Sequence, residues 1–249
     1  MKKGSRFDIR KLTIIGVLGA ISVVLGMTPL GFIPVGPTRA TIMHIPVIIG
    51  AIVEGPIVGA LVGLIFGLFS IYQAITAPTP VSFVFLNPIV SVLPRVLIGI
   101  TAYYTYKGLN KLGTKGTIGM LYLIWAAIIA YLARGIYLSV ADYTSIWPLL
   151  MNTGLLILTA GMVYLTATKF KDKALDTVIA AVVGTMTNTV GVLTMIYIFF
   201  GERFVQALGQ DVGLARKVIV GIGITNGIPE SIIAIIIVTS VVSAVKRRR

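Results

Sequence analysis

The sequence is dominated by long apolar runs that are separated by short polar segments. A run of about 20 apolar residues is long enough to cross a bilayer as a helix. Only 12% of the residues are charged, against about a quarter in soluble domains. We therefore predict an all-α, multi-pass membrane protein that forms a single integral membrane domain, 1–249. The predicted spans lie at about 12–30, 41–53, 56–72, 87–106, 118–141, 147–168, 175–200 and 218–245, and Glu54-Gly55-Pro56 is predicted to form a tight inner turn between the second and third.

The basic residues indicate which ends of the spans face the cytoplasm. When the eight spans are threaded through a membrane, fifteen of the 21 Lys and Arg residues fall on one side. Because cytoplasmic segments carry such an excess, both termini are predicted to be cytoplasmic. The net charge of +13 then reflects topology, and we predict no nucleic-acid partner. The fifteen are Lys2, Lys3, Arg6, Arg10, Lys11, Lys107, Lys111, Lys115, Lys169, Lys171, Lys173, Lys246, Arg247, Arg248 and Arg249.

Several polar side chains lie inside the predicted spans, where hydrocarbon penalises any group that is not satisfied. Spacings of three or four residues place some of them on one helix face. All of them can converge on one cavity that opens to the outside, so we predict that they bind substrate. They are Asn87, Ser91, Arg95, Asn188, Thr185, Asn226, Glu230 and His44.

Structural alternatives exist for each of these residues. Arg95 and Glu230 can neutralise each other as an intramembrane ion pair, unless a bound carboxylate competes for the arginine. For Thr187 and Thr189, which flank Asn188 in the sequence, bonding between helices is the favoured interpretation. His44 is the single histidine, and a lone histidine is more often a packing residue than a ligand.

Small residues form two stripes with a spacing of four. Gly59, Gly63 and Gly67 lie on one predicted span, and Gly16 and Ala20 lie on the first. Such stripes let helices approach closely. We predict internal packing for the three glycines. For Gly16 and Ala20, a partner helix outside this chain is an alternative.

Several chemistries are excluded by what the sequence lacks. It contains no cysteine and a single histidine, and no metal site or cofactor is predicted. It also lacks a GxxxxGK[ST] motif and any paired-carboxylate or Ser–His–acid pattern. We therefore do not expect an enzyme, and any ATP hydrolysis belongs to partner subunits.

Four stretches together resemble the S components of energy-coupling-factor (ECF) vitamin importers, above all the pantothenate-type members. The resemblance covers roughly 1–107 and 174–249. The stretches are TIMHIPVIIGAIVEGPIVGALVGLIFGLFS (41–70), NPIVSVLPRVLIG (87–99), GTMTNTV (184–190) and TNGIPE (225–230).

The resemblance implies a six-helix core in the plasma membrane of a prokaryote. Such a core captures a small water-soluble vitamin at its outer face and docks on a transmembrane scaffold subunit with two ATPase subunits. Gly16 and Ala20 match the family motif that contacts the scaffold, and outer loops at 31–41 and 73–86 would cover the pocket. One departure is an inserted helix pair, which we predict at about 117–170.

Pantothenate is the favoured ligand, with its carboxylate on Arg95 and its hydroxyl and amide groups on Asn87, Asn188 and Asn226. Riboflavin or another vitamin is an alternative, because aromatic residues such as Phe83, Phe85 and Trp147 could stack on a flat ring. A stand-alone secondary transporter using protons, or a membrane enzyme, are the remaining alternatives.

Overall fold

The computed structural model describes residues 8–35, 38–142 and 175–247, together with 149, 153, 154, 156, 157, 159–161, 163 and 164. This part of the chain is almost entirely helical, which confirms the predicted all-α class. Its elements are, in chain order, α1 (Ile9–Met27), β1 (Phe32–Val35), β2 (Thr38–Thr41), α2 (Ile45–Glu54), α3 (Pro56–Thr76), α4 (Pro88–Ser91), α5 (Leu93–Asp142), α6 (Leu175–Ala207) and α7 (Ala215–Arg247).

Five helical segments of the described chain are long and apolar enough to cross a membrane. They are Ile9–Met27, Pro56–Thr76, Pro88–Gly119, Leu175–Ala207 and Val212–Arg247. Helix α2 is equally apolar but has only 10 residues. The second helix of the predicted inserted pair, 147–168, lies mostly outside the described residues.

The predicted start of the second span, at 41, is wrong. Strand β2 ends at Thr41 and pairs antiparallel with β1, so that Phe32 faces Thr41 in the register. Helix α2 starts only at Ile45, with Pro46 in its first turn. A proline suits a first turn because no helical partner is needed for its missing N–H. The predicted loop thus contains a short pair of strands, named here the outer hairpin (32–35 and 38–41) after the side of the membrane on which it is predicted to lie.

The predicted turn between the second and third spans is confirmed at Gly55, whereas its position on the inner side stays a prediction. Helix α2 ends at Glu54, α3 begins at Pro56, and Gly55 has a φ of 106°. A positive φ of this kind is accessible to glycine at no steric cost. The turn is also held by a salt bridge in which Arg10 Nη2 lies 3.0 Å from Glu54 Oε1.

The chain divides into two compact units. The first comprises 1–107 and 177–249, and the second comprises 108–176. In the first unit α2 is the central element, because every residue from Ile45 to Ile52 is buried. A second apolar cluster of this unit contains Val84, Val90 and Ile196. The polar site described below lies within the first unit.

In the second unit, α5 is broken at Gly113, and polar contacts connect the helical turns before and after the break. The backbone at Gly113 has a φ of 73° and interrupts the helix. Thr117 Oγ1 donates to the carbonyls of Leu109 and Gly113, at 3.2 Å and 3.0 Å. Asn110 Nδ2 donates to Asp176 Oδ2 at 3.0 Å. The division of the sequence into a core and an inserted pair stays a prediction.

The glycine stripe of α3 packs directly on the backbone of α4 and α5. A Cβ at Gly63 would lie 2.1 Å from the carbonyl oxygen of Arg95, and one at Gly59 would lie 2.9 Å from Gly99 Cα. At Gly67 it would lie 2.8 Å from the Ser91 carbonyl oxygen. Side chains are therefore excluded along this seam, which confirms the predicted internal packing. The seam places the backbone of Arg95 beside α3.

Candidate functional site

Residues 185–189 of α6 connect three other helices. Each of the three threonines in this stretch bonds a polar side chain on a different helix or, for His44, immediately before one. The predicted helix–helix role of Thr187 and Thr189 is thereby confirmed. The pairs are Thr185 Oγ1 with His44 Nε2 beside α2 (3.0 Å), Thr187 Oγ1 with Thr101 Oγ1 on α5 (2.9 Å) and Thr189 Oγ1 with Glu230 Oε2 on α7 (2.7 Å).

His44 is fully buried immediately before α2. Thr185 Oγ1 donates its hydrogen to the carbonyl of Ala181 at 2.9 Å, so it accepts from Nε2 of His44. The second ring nitrogen, Nδ1, is buried without a hydrogen bond of normal geometry. His44 is thus held in a defined orientation by Nε2, while the backbone of Thr41 also lies near its ring.

Arg95 lies in the first turn of α5 and is only 5% exposed. Its Nη1 donates to the carbonyl of Val90 at 2.6 Å, and its Cζ lies 5.3 Å and 5.6 Å from the ring centres of Phe66 and Phe85. Nε has no hydrogen-bond partner. A buried guanidinium without an anion is costly, because desolvation is not offset by an ion pair.

The alternative in which Arg95 and Glu230 form an ion pair is wrong for this structure. The two charges attract each other through space, but these two described side chains form no salt bridge. Glu230 instead accepts one hydrogen bond on each carboxylate oxygen, from Thr189 and from the backbone N–H of Thr41. Arg95 therefore keeps its capacity for a carboxylate.

Asn188 is the fourth polar residue of the α6 stretch and is 4% exposed. Its Oδ1 is buried without a hydrogen-bond partner. One turn further along the same face of α6, a Cβ at Gly191 would lie 3.1 Å from Pro94, the residue before Arg95. The face of α6 that carries Asn188 is thus packed against the start of α5.

Four buried polar atoms without a hydrogen bond of normal geometry therefore occur among the described residues of the first unit, namely Arg95 Nε, Asn188 Oδ1, His44 Nδ1 and Ser231 Oγ. Buried polar groups in folded proteins are nearly always satisfied, so each such atom needs an explanation. A guanidinium N–H suits an anionic oxygen, and an amide oxygen suits a hydroxyl or N–H. The arrangement fits a small ligand with a carboxylate and additional hydrogen-bonding groups.

The other predicted site residues are engaged differently. Asn87 Oδ1 caps α4 by accepting the N–H of Ile89 at 2.9 Å, and Ser91 Oγ donates to the carbonyl of Phe85. Asn226 is partly exposed, one turn before Glu230 on α7. The contacts of Asn87 and Ser91 therefore organise the backbone on the N-terminal side of Arg95, and these two groups are already used within the protein.

Sequence reasoning missed the aromatic neighbours of Arg95 and the backbone donor of Thr41. Phe66 lies three residues after Gly63, hence on the face of α3 that packs against α5, so the glycine stripe could have indicated it. Phe85 belongs to a 3₁₀ turn, Ser82–Leu86, that has no periodic signal. Thr41 could not be found, because a loop was predicted to end, and a helix to start, at this residue.

The predicted partner-binding residues Gly16 and Ala20 are exposed on α1. A Cβ at Gly16 would meet no atom within 4 Å. Large apolar side chains beside them are exposed as well, among them Val17 at 53% and Ile21 at 44%. This face of α1 is thus not used for packing within the described first unit.

Fold and composition together define a multi-pass, all-α membrane protein whose buried polar groups are concentrated around α6. Comparison with known proteins gives the family. A model described as "ECF transporter, substrate-specific component" matches residues 10–153, more than half of the chain. The chain belongs to this family and is a transport subunit.

Two relatives are similar to the chain. The pantothenic acid transporter PanT of Lactococcus lactis subsp. cremoris is 29% identical over 266 aligned residues, covering 100% of this chain and 98% of the relative. The pantothenate transporter PanT of Leuconostoc mesenteroides subsp. mesenteroides is 39% identical over 77 residues, which cover 30% of this chain and 37% of the relative.

Proposed function

We propose that this chain is the pantothenate-binding component of an ECF-type, ATP-driven importer in the plasma membrane of a prokaryote. Both relatives carry names that refer to pantothenate transport, and one of them aligns with the whole chain. The family match supports the importer class, and the site supports a ligand with a carboxylate.

The observation that carries the proposal is the buried, unpaired guanidinium of Arg95. Pantothenate has a carboxylate, an amide and two hydroxyl groups. The carboxylate would accept from Arg95 Nε, whose ring neighbours Phe66 and Phe85 hold the guanidinium plane. Asn188 Oδ1 would accept from a hydroxyl or the amide N–H, and His44 lies at the other end of the α6 stretch.

Titration calorimetry on purified protein tests this assignment through the carboxylate. We expect pantothenate to bind, and pantothenyl alcohol, in which a hydroxymethyl group replaces the carboxylate, to bind much more weakly. Arg95→Gln should lower the affinity for pantothenate about 100-fold or more, because the ligand charge is then buried without a partner. The same substitution should change the affinity for the alcohol far less.

Arg216→Gln serves as the matched control, because Arg216 is an exposed arginine at the start of α7. It should leave the affinity for pantothenate unchanged. Equal binding of the acid and the alcohol, or equal losses from Arg95→Gln for both, would contradict the role of Arg95. Absence of pantothenate binding together with tight binding of a flavin would remove the substrate assignment.

The contacts of the aromatic residues do not favour riboflavin. Phe85 lies on Arg95, and Phe83 contacts Phe200 edge-on at 5.8 Å and Arg203 at 4.4 Å. Trp147 lies outside the described residues. A flavin would have to displace these contacts in order to stack.

The importer class also needs partners. We propose that a transmembrane scaffold subunit with two ATPase subunits docks on the face of α1 that carries Gly16 and Ala20. This face is exposed and has room for a close helix. Delivery of the vitamin would then be driven by ATP hydrolysis on the partner, with this chain supplying selectivity alone.

A further inference from the structure

We infer that Glu230 is a positioning residue: its carboxylate fastens the outer hairpin to α6 and α7, and it retains the ligand through the hairpin without touching it. This assigns Glu230 a role different from the substrate contact expected from the sequence. The nature of the ligand rests on the proposed function, whereas the fastening of the hairpin does not.

The carboxylate joins three elements that are far apart in the sequence. Oε1 accepts the backbone N–H of Thr41, the last residue of β2, at 2.6 Å. Oε2 accepts the hydroxyl of Thr189 on α6 at 2.7 Å. Glu230 itself lies on α7 and is 3% exposed. A single side chain thus holds a strand, a neighbouring helix and its own helix together.

A carboxylate suits this position because it offers two acceptor oxygens and no donor. Both donors aimed at Glu230 are satisfied, one on each oxygen. A glutamine at this position has one acceptor oxygen, and its amide nitrogen would face a second donor. Loss of the carboxylate should therefore weaken the connection to β2, to α6, or to both.

Other described hydrogen bonds hold the chain just after β2, among them one from the N–H of Met43 to Thr41 Oγ1 at 3.3 Å. Ile42 N–H donates to the carbonyl of Gly31 at 3.1 Å, and the carbonyl of Met43 accepts from Ser22 Oγ at 3.1 Å. These bonds hold the chain where it enters α2. The bond from the backbone N–H of Thr41 to Glu230 adds a hydrogen bond where β2 and α7 already lie close together.

The same carboxylate accepts from Thr189, which follows Asn188 of the candidate ligand site on α6. An anionic ligand on Arg95 would be repelled by direct contact with Glu230. The carboxylate is instead occupied by protein donors, so its effect on the ligand passes through the position of the hairpin. Release of the ligand should then be faster when the hairpin is loose.

The absence of cysteine from the chain allows a direct test with one spin label. A nitroxide is attached to Thr38→Cys in β2, in full-length protein reconstituted into nanodiscs. Glu230→Ala should increase the mobility of the label. It should also raise the dissociation rate constant of pantothenate about tenfold. The association rate constant should change less than about threefold, because the loss of a contact in a complex mainly affects dissociation.

Thr189→Val removes the α6 half of the connection and should give smaller changes in the same direction. Glu202→Gln is the control, because Glu202 is an exposed carboxylate near the end of α6. It should alter neither mobility nor rates. If Glu230→Ala does not fold, as judged by gel filtration, Glu230→Gln replaces it, with smaller effects expected on both readouts.

Unchanged label mobility in both Glu230 variants would overturn the anchoring role. Loss of association without increased mobility would show that Glu230 acts on the ligand directly, which also overturns it. The mobility measurement needs no ligand. Failure of pantothenate binding in the unsubstituted protein would therefore count against the proposed function alone, while increased mobility would still support the anchor.

Discussion

Two stripes of small residues in this chain have the same sequence pattern and opposite environments. On α3, Gly63 and its neighbours at intervals of four pack against the backbone of α4 and α5, where a Cβ would come as close as 2.1 Å to another atom. On α1, Gly16 and Ala20 are exposed, and a Cβ at Gly16 would meet nothing within 4 Å. The first stripe builds the core that carries Arg95, whereas the second is open to a partner.

The comparison teaches that small residues at intervals of four indicate close approach but not the identity of what approaches. Close packing of helices depends on the absence of side chains on one face, and a helix within the chain or outside it can meet that requirement equally well. Substitutions that add side-chain volume should therefore have opposite consequences on the two helices.

The largest effect is expected for Gly63→Val. The new Cβ would collide with the carbonyl oxygen of Arg95, and a backbone atom cannot move aside as the end of a side chain can. We expect destabilisation by about 3 kcal/mol or more, at or above the usual range for overpacking, together with loss of pantothenate binding. Thermal unfolding in detergent measures the first effect and calorimetry the second.

Gly16→Val is the matched control for this substitution, since it adds the same side chain to a helix interior with open space around it. Its unfolding temperature should stay close to that of the unsubstituted protein. Equal destabilisation by the two substitutions would contradict the distinction between the stripes.

The second-largest effect is expected on transport, when the same Gly16→Val substitution is tested in cells. The added side chain should keep a partner helix at a distance, so uptake of labelled pantothenate by cells with the ATPase module should fall about tenfold or more. Binding of pantothenate by the purified subunit should be unchanged. Normal uptake by Gly16→Val, with normal co-purification of the module, would place the docking surface elsewhere.

The smallest effect is expected for Gly19→Ala, which lies on the buried side of α1. A Cβ there would come within 2.6 Å of Ile65 Cδ1, but this atom is the end of a flexible side chain. The cost of moving it should be offset by the higher helix propensity of alanine, which is worth about 1 kcal/mol. We expect an unfolding temperature close to that of the unsubstituted protein. A loss comparable with that of Gly63→Val would mean that α1 is as tightly constrained as α3.

Much of the fold could be predicted because its signals are local. Hydropathy predicted membrane helices, and the sequence Glu54-Gly55-Pro56 predicted a turn that the structure confirms with a positive φ at Gly55. The start of the second span was wrong because hairpin pairing between 32–35 and 38–41 depends on backbone bonds between strands. Apolar and β-branched residues are compatible with either a strand or a helix.

The candidate site could be predicted in part. The polar stretch of α6 contrasts with its apolar surroundings, and Arg95 is an intramembrane charge, so both were identified from the sequence. The assignment of partners was not accessible. Glu230 was expected to contact Arg95 or substrate, and it bonds Thr41 and Thr189 instead. The choice among donors depends on which backbone groups lie nearby, and residue spacing along one helix does not reveal that.

The sequence by itself determined that this chain is a helical membrane protein and which residues carry polar groups into its spans. Hydropathy and charge are properties of the residues themselves, and the bilayer acts on them directly. Only the tertiary structure decided which glycines face a backbone, which threonines are satisfied, and that Arg95 Nε and Asn188 Oδ1 are buried without partners. Burial and hydrogen bonding are properties of neighbours, and here those neighbours come from helices separated by up to 189 positions in the chain.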